Sequence, residues 1–228
     1  MGLVFETRLS DSPYVELITH GWTDGPGSAI RPAEAHWHWV IVKQTVKHSD
    51  QIQSIVTGPL SASGIASWPD SAEILWIQFR LGTFMPHLPA KILLDKETRL
   101  PEAGDRSFWL KGDSLQFPDF ENVEAFVKRL VRNEVLAHDS IVEAALQGHP
   151  LDLSPRTVRH RFLRSTGLTQ GQIHQIARAK QAAALLAQGV SILDTVYDAG
   201  YFDQPHLTRS LRRWVGYTPA QLLQQNTP

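Results

Sequence analysis

The hydrophobic pattern of this chain changes period once, near Asn122, and that change constrains the fold more than any other feature. Before it, short runs rich in β-branched and aromatic residues follow one another: His36–Lys43, Gln51–Thr57 and Glu73–Arg80. Pro, Gly, Ser and Asp clusters such as Thr23–Gly27 and Trp68–Ser71 separate them, and Gly58-Pro59 reads as a turn. Strands at this spacing, with no helical pattern between them, predict a small barrel or sandwich. After Asn122, the residues Val123, Phe126, Val127, Leu130 and Val131 recur at helical spacing, with Lys128, Arg129 and Arg132 on the other face. The chain is therefore expected to be α+β. A β-rich domain over 1–122 precedes a boundary helix over 123–138, which either closes that domain or supports a dimer contact, and an all-α domain follows over 139–228.

Charge divides at the same place. The whole 228-residue chain has a net charge of −1, from 22 Lys and Arg against 23 Asp and Glu. Residues 1–122 hold ten basic and fifteen acidic side chains, whereas residues 123–228 hold twelve basic and eight acidic ones. Opposite signs on the two halves point to modules with different partners. The absence of cysteine excludes a disulfide scaffold, a thiolate metal site and a cysteine nucleophile. The sequence MGLVFETRLSDS lacks the basic and apolar regions of a secretory signal, and no apolar run approaches the roughly 20 residues of a membrane span. A cytoplasmic protein with no membrane partner is expected.

The helical half announces its starts and stops. Ser154-Pro155 places an N-cap before a proline at the first helical position, and Gly167 stops that helix. Thr169 with Gln172 predicts a capping box for a long helix running to Gln188, stopped by Gly189. Ser191 caps a short helix over Ile192–Ala199 that ends at Gly200; Asp203 caps the next, and Thr218-Pro219 starts the last. On the short helix, Ile192, Leu193 and Val196 are expected to face inward. On the helix after it, Leu207, Ser210, Leu211 and Trp214 form a buried stripe. The opposite surface of that helix carries Gln204, His206, Thr208, Arg209, Arg212 and Arg213. A packed helix pair whose second member presents donors near its N-terminus is a helix-turn-helix, built to enter a DNA major groove. Arg209 and Gln204 can make bidentate contacts with guanine and adenine, while Arg212 and Arg213 are better placed for phosphate.

Arg178 through Leu223 resembles the C-terminal part of the AraC family of transcriptional regulators. The resemblance is carried by RAKQAAALLAQG and by ILDTVYDAGYFDQPHLTRSLRRWVGYTPAQL, in that order and spacing. It implies two helix-turn-helix units joined by one long helix. Ser154–Gly167, SPRTVRHRFLRSTG, then resembles the first recognition helix, with Val158 and Phe162 buried and Arg156, Arg159 and His160 facing DNA. The joining helix would be about 25 Å long, enough to place two recognition helices in successive major grooves about 34 Å apart. One departure stands out. Asp139–Gln147 is followed by Gly-His-Pro-Leu-Asp-Leu before Ser154, and Pro150 cannot continue a helix, so the support of the first unit is irregular.

The resemblance also implies a cupin-like N-terminal domain that senses a small molecule or mediates dimerisation, and it implies RNA polymerase as a partner. Six of the seven tryptophans lie in this half, and His36, Trp37, His38, Trp39 and Trp76 are the residues expected to bind an effector. The tryptophans filling the core is the equally weighted alternative. Alternate residues of a strand share a face, so His36 and His38 could chelate a metal. The glutamate that completes cupin metal sites does not follow, however, and the pair is read as polar groups of a pocket or as satisfied core histidines. No metal or cofactor and no catalytic residue is expected. The resulting reading is an effector-controlled, sequence-specific DNA-binding regulator and not an enzyme. The alternatives are a metal-dependent cupin enzyme fused to a DNA-binding module and a recruiter that binds DNA constitutively.

Overall fold

The computed structural model describes residues 3–46 and 49–224. In chain order the first half contains β1 (Leu3–Leu9), β2 (Val15–Thr23), β3 (Gly27–Arg31), β4 (His38–Val46), β5 (Ser49–Thr57), β6 (Gly64–Trp68), β7 (Ala72–Phe79) and β8 (Thr83–Phe84). It continues with α1 (Ala90–Leu93), β9 (Glu97–Leu100), β10 (Glu102–Gly104), β11 (Ser107–Leu110) and β12 (Asp113–Gln116). The second half contains α2 (Val123–Arg132), β13 (Ala137–His138), α3 (Ser140–Leu146), α4 (Pro155–Thr166), α5 (Gln170–Ala187), α6 (Ile192–Asp198), α7 (Gln204–Trp214) and α8 (Pro219–Gln224). A β-rich half followed by a helical half is the expected α+β class.

A six-stranded antiparallel sheet, in the order β1-β2-β7-β4-β5-β9, organises the first half. Strand alternation sends one set of side chains to each face. Trp39 and Ile41 of β4, with Leu75, Ile77 and Phe79 of β7, point into the first core, where β11, β12 and the apolar side of α2 cover them. Val40, Ala72 and Ile74 lie on the opposite face, with Trp68 of β6 and Trp76 packed against them. There β6 pairs with β3 in a separate two-stranded ribbon. The period-3.6 pattern after Asn122 has a direct outcome: Val123, Phe126, Val127 and Leu130 of α2 are buried in the first core.

The second core gathers the helices. Phe162, Leu168, Ile173, Ile176, Leu186, Leu207, Leu211 and Trp214 are its buried members, and Ala33 and Ala35 from the first half are buried among them. The helical signals fall where their chemistry requires. Ser154 accepts the Thr157 N–H, Thr169 and Gln172 form the reciprocal capping box, and Asp203 accepts the His206 N–H at 2.6 Å. The 18 residues of α5 make it about 27 Å long.

One helical face departs from expectation. Leu193 is 73% exposed, while Thr195 is fully buried and Ala199 nearly so. The inward stripe of α6 is Ile192, Thr195, Val196 and Ala199, at i, i+3, i+4 and i+7. Leu193 lies about 100° of helical rotation away from Ile192.

Candidate nucleic-acid interface

The second helix-turn-helix is α6 and α7. Its turn is held from beneath: Tyr201 is buried, its hydroxyl is 2.8 Å from the Ser210 Oγ, and the Arg178 guanidinium stacks 4.4 Å above its ring. Arg178 also donates to the Gly200 carbonyl at 3.3 Å. The sequence marked Arg178 only as a residue of α5, and its stacking on the turn aromatic gives no local signal. With the turn fixed, the stripe Leu207, Ser210, Leu211 and Trp214 is buried as the spacing predicts.

This packing leaves Gln204, Arg209, Arg212 and Arg213 exposed and His206 and Thr208 half-buried. The side chains of Gln204, Arg209 and Arg212 have no hydrogen bond or ion pair among the described residues. Arg213 lies 4.4 Å over the Trp214 ring. In the first unit, α3 packs on α4, but residues 147–154 separate them, against the five residues 199–203 between α6 and α7. The irregular support expected from Pro150 is therefore a longer connection. It still leaves Arg156, Arg159 and His160 exposed on α4, and it buries Phe162 completely, with Val158 half-buried. Two other arginines of α4 have structural partners: Arg161 pairs with Asp139 at 3.2 Å, and Arg164 lies 5.2 Å over Phe84.

The first half holds both α4 and α7 at their C-terminal ends. On α7, the Arg213 and Trp214 carbonyls accept the Ser63 and Ala33 backbone N–H groups at 2.8 and 2.7 Å. The last carbonyls of a helix have no partner within it, so these contacts satisfy groups that would otherwise need water. Gly216 follows at φ 89°, and an added Cβ would sit 2.5 Å from Ile30. On α4, the C-cap Gly167 has φ 70°, and an added Cβ would sit 2.9 Å from the Ala90 carbonyl of α1. Both glycines serve a left-handed turn and a close approach between the halves. The C-terminal ends are thus fixed to the first half, while Arg156 and Gln204 stand exposed in the first turns, Arg159, His160 and Arg209 in the middle, and Arg212 and Arg213 in the last turn of α7.

A polar chain also crosses the junction. His36 lies between Glu16, 2.9 Å from its Nε2, and Glu34, 2.6 Å from its Nδ1. Glu34 in turn accepts from Lys180 of α5 at 2.6 Å. Burial would lower the His36 pKa, but the hydrogen bonds to the two carboxylates outweigh it and push the pKa up to about 9. The His36 hydrogen bond is also what holds Glu16 down to about 2 despite partial burial. Beside this chain lies a cavity of about 360 Å³ lined by residues including Arg31, Glu34, His38, Trp76, Gln78 and Lys180. Burial lowers the pKa of His38 to about 4, and its buried Nδ1 has no hydrogen-bond partner.

The five residues expected around an effector are therefore divided. His38 and Trp76 line the junction cavity, and His36 forms the carboxylate clamp beside it. Trp37 and Trp39 are displaced to the first core by the alternation of β4 and the residues before it. Their indole N–H groups donate to the Thr83 carbonyl and the Ser54 hydroxyl, and the Trp37 ring stacks on Phe79. Arg31 and Lys180 are cavity residues with no local sequence signal, since one lies on an edge ribbon and the other on a helix of the second half.

A family model described as a helix-turn-helix domain matches residues 149–225. HTH-type transcriptional regulator VirS of Mycobacterium tuberculosis is 34% identical over 102 residues, which span 44% of this chain and 28% of that protein. HTH-type transcriptional regulator RipA of Corynebacterium glutamicum is 28% identical over 195 residues, covering 77% of this chain and 57% of that protein. The chain thus spans less than two thirds of the length of these relatives. Among solved structures, ToxT from Vibrio cholerae O395, bound to (E)-4-(8-methylnaphthalen-1-yl)but-3-enoic acid, matches 98% of this chain and 99% of its own, with 11% identity and a TM-score of 0.40. A second ToxT structure from Vibrio cholerae matches with 12% identity and a TM-score of 0.38. Two packed helix pairs joined by a single long helix and the match over 149–225 lead to one conclusion: residues 149–225 of this chain form a helix-turn-helix domain, similar in sequence to those of the HTH-type transcriptional regulators above.

Proposed function

We propose that the protein is an effector-controlled transcriptional regulator, acting in the cytoplasm, whose α4 and α7 read duplex DNA and which has no catalytic role. The observation that carries this reading is the exposure of Arg156, Arg159, Gln204 and Arg209 without partners, on two helices whose C-terminal ends are held. Arg209 and Gln204 read base edges, and Arg156, Arg159 and His160 do so on the first unit. His206 and Thr208 contribute from the flank of α7, and Arg212 and Arg213 hold phosphates. RNA polymerase and a second copy of the chain are its protein partners. Selection of bound sequences from a random duplex pool tests the reading: two half-sites about 10 base pairs apart per protomer are expected. A single short half-site would remove α4 from base reading, and recovery of no preferred sequence would overturn the reading.

The effector site in this proposal is the junction cavity. A small molecule there would touch His38 and Trp76 from the sheet and Lys180 from α5, so its binding would depend on how the halves are docked. That dependence is what control requires, because a ligand shifts an equilibrium only by its differential affinity for two arrangements. Screening small molecules by thermal stabilisation should find ligands whose effect is lost in Trp76→Ala; one present at 100 times its Kd adds about 2.7 kcal/mol. Ligands that stabilise Trp76→Ala equally would place the effector site elsewhere.

A further inference from the structure

Strand β1 is an edge of the main sheet, and it is the less protected of the two edges. The opposite edge, β9, is four residues long, with Lys96 before it and Pro101 after it, features that discourage pairing with another chain. Strand β1 has seven residues, Leu3–Leu9, with no Pro, Gly or Lys. Val4, Phe5 and Leu9 are 66%, 59% and 78% exposed, which is a quarter of the exposed large apolar side chains among the described residues. Phe5 is exposed for a local reason: its partner across the β1–β2 pair is Gly21, which has no side chain to cover it. The strand is also firmly held. Arg8 donates to Glu124 at 2.6 Å and to the Phe120 carbonyl, and its guanidinium lies 5.0 Å from the Phe120 ring.

The sequence of β1 is complementary to itself in one antiparallel register. A two-fold axis normal to the sheet must pass through a residue, because directly opposed side chains share a face. An axis through Glu6 or Arg8 would oppose like charges, and an axis through Phe5 would leave Arg8 and Leu9 without partners within the strand. An axis through Thr7 places Glu6 opposite Arg8 twice on one face and Phe5 opposite Leu9 twice on the other. Opposite-charge and apolar cross-strand pairs are the arrangements that stabilise antiparallel sheets.

We infer that the protein forms a two-fold homodimer by antiparallel pairing of β1 with β1 of a second copy, centred on Thr7, which joins the two sheets into one of twelve strands. This rests on the reading of the protein as a homodimer and gives that dimer its surface. The contact is isologous and closes on itself, so it ends at two copies. It lies on the sheet edge and leaves α4 and α7 free.

Sedimentation of the full chain tests the inference. The wild type is expected at twice the chain mass. Thr7→Lys, which brings two ammonium groups together at the axis, is expected at the single-chain mass. Ile65→Lys, which alters an exposed apolar residue of β6, is expected to remain dimeric. Because the chain has no cysteine, Thr7→Cys gives an independent readout. Residues directly opposed across an antiparallel pair have Cα atoms about 4.5–5.5 Å apart, within disulfide range. Mild oxidation should therefore cross-link Thr7→Cys into a covalent dimer, and Val4→Cys much less. A wild type that sediments at the single-chain mass overturns both the inference and the homodimer reading. A dimer that survives Thr7→Lys, together with equal cross-linking of Val4→Cys and Thr7→Cys, overturns the β1 contact and leaves the homodimer reading standing.

Discussion

His36 sits between two carboxylates at the boundary of the two halves, and its chemistry sets the pH behaviour of the junction. Its folded pKa is raised from 6.5 to about 9, so the stability it contributes is full below pH 6.5 and is lost as pH rises through 9. Glu16 works in the other direction: its pKa is lowered from 4.5 to about 2, so its contribution is present above pH 4.5 and is lost as pH falls through 2. His38 is lowered from 6.5 to about 4 by burial, so its contribution is full above 6.5 and fades as pH falls through 4. The three together place the stability optimum near pH 6.5. We predict that the unfolding free energy of the full chain, from urea titration, falls between pH 6.5 and 9 by on the order of 1–3 kcal/mol, and that this alkaline limb is lost in His36→Asn. An alkaline limb of the same size in His36→Asn would remove His36 as its cause.

Elements show where the sequence was readable and where it was not. The caps of α4, α5, α6 and α7 could be read because a cap is a local contract between a side chain and a backbone N–H three positions or fewer away. The stripe of α7 was legible for the same reason, since period alone chooses its buried face. Leu193 was misplaced because α6 is only seven residues long, too few for a stripe to outvote one strongly apolar side chain. Trp37 and Trp39 take the core-filling alternative that the sequence leaves open; alternation tells which residues share a face, and only the packed sheet tells which face holds the cavity. The ends of α4 and α7 lie beyond sequence reading altogether. Ala33 and Ser63 cap α7 through backbone N–H groups, which any residue except proline supplies, and α1 reaches Gly167 from more than seventy positions away.

At the scale of the whole molecule, the near-neutral charge hides an acidic half joined to a basic helical surface. Residues 150–228 hold nine basic and four acidic side chains, and seven of the nine lie on α4 and α7. The first half meets the helical half through the two helix ends, the Arg164–Phe84 contact, the Glu34–Lys180 pair and the shared burial of Ala33 and Ala35. In the proposed function, affinity and specificity reside in different arginines of one helix. The most direct measurement is the affinity of wild type, Arg209→Ala and Arg212→Ala for the selected duplex and for a scrambled one, over a range of salt. Arg212→Ala should weaken both duplexes alike and reduce the salt slope by about 1. Arg209→Ala should lose about 1–3 kcal/mol on the selected duplex and far less on the scrambled one. Equal losses for Arg209→Ala on both duplexes would contradict base reading by α7.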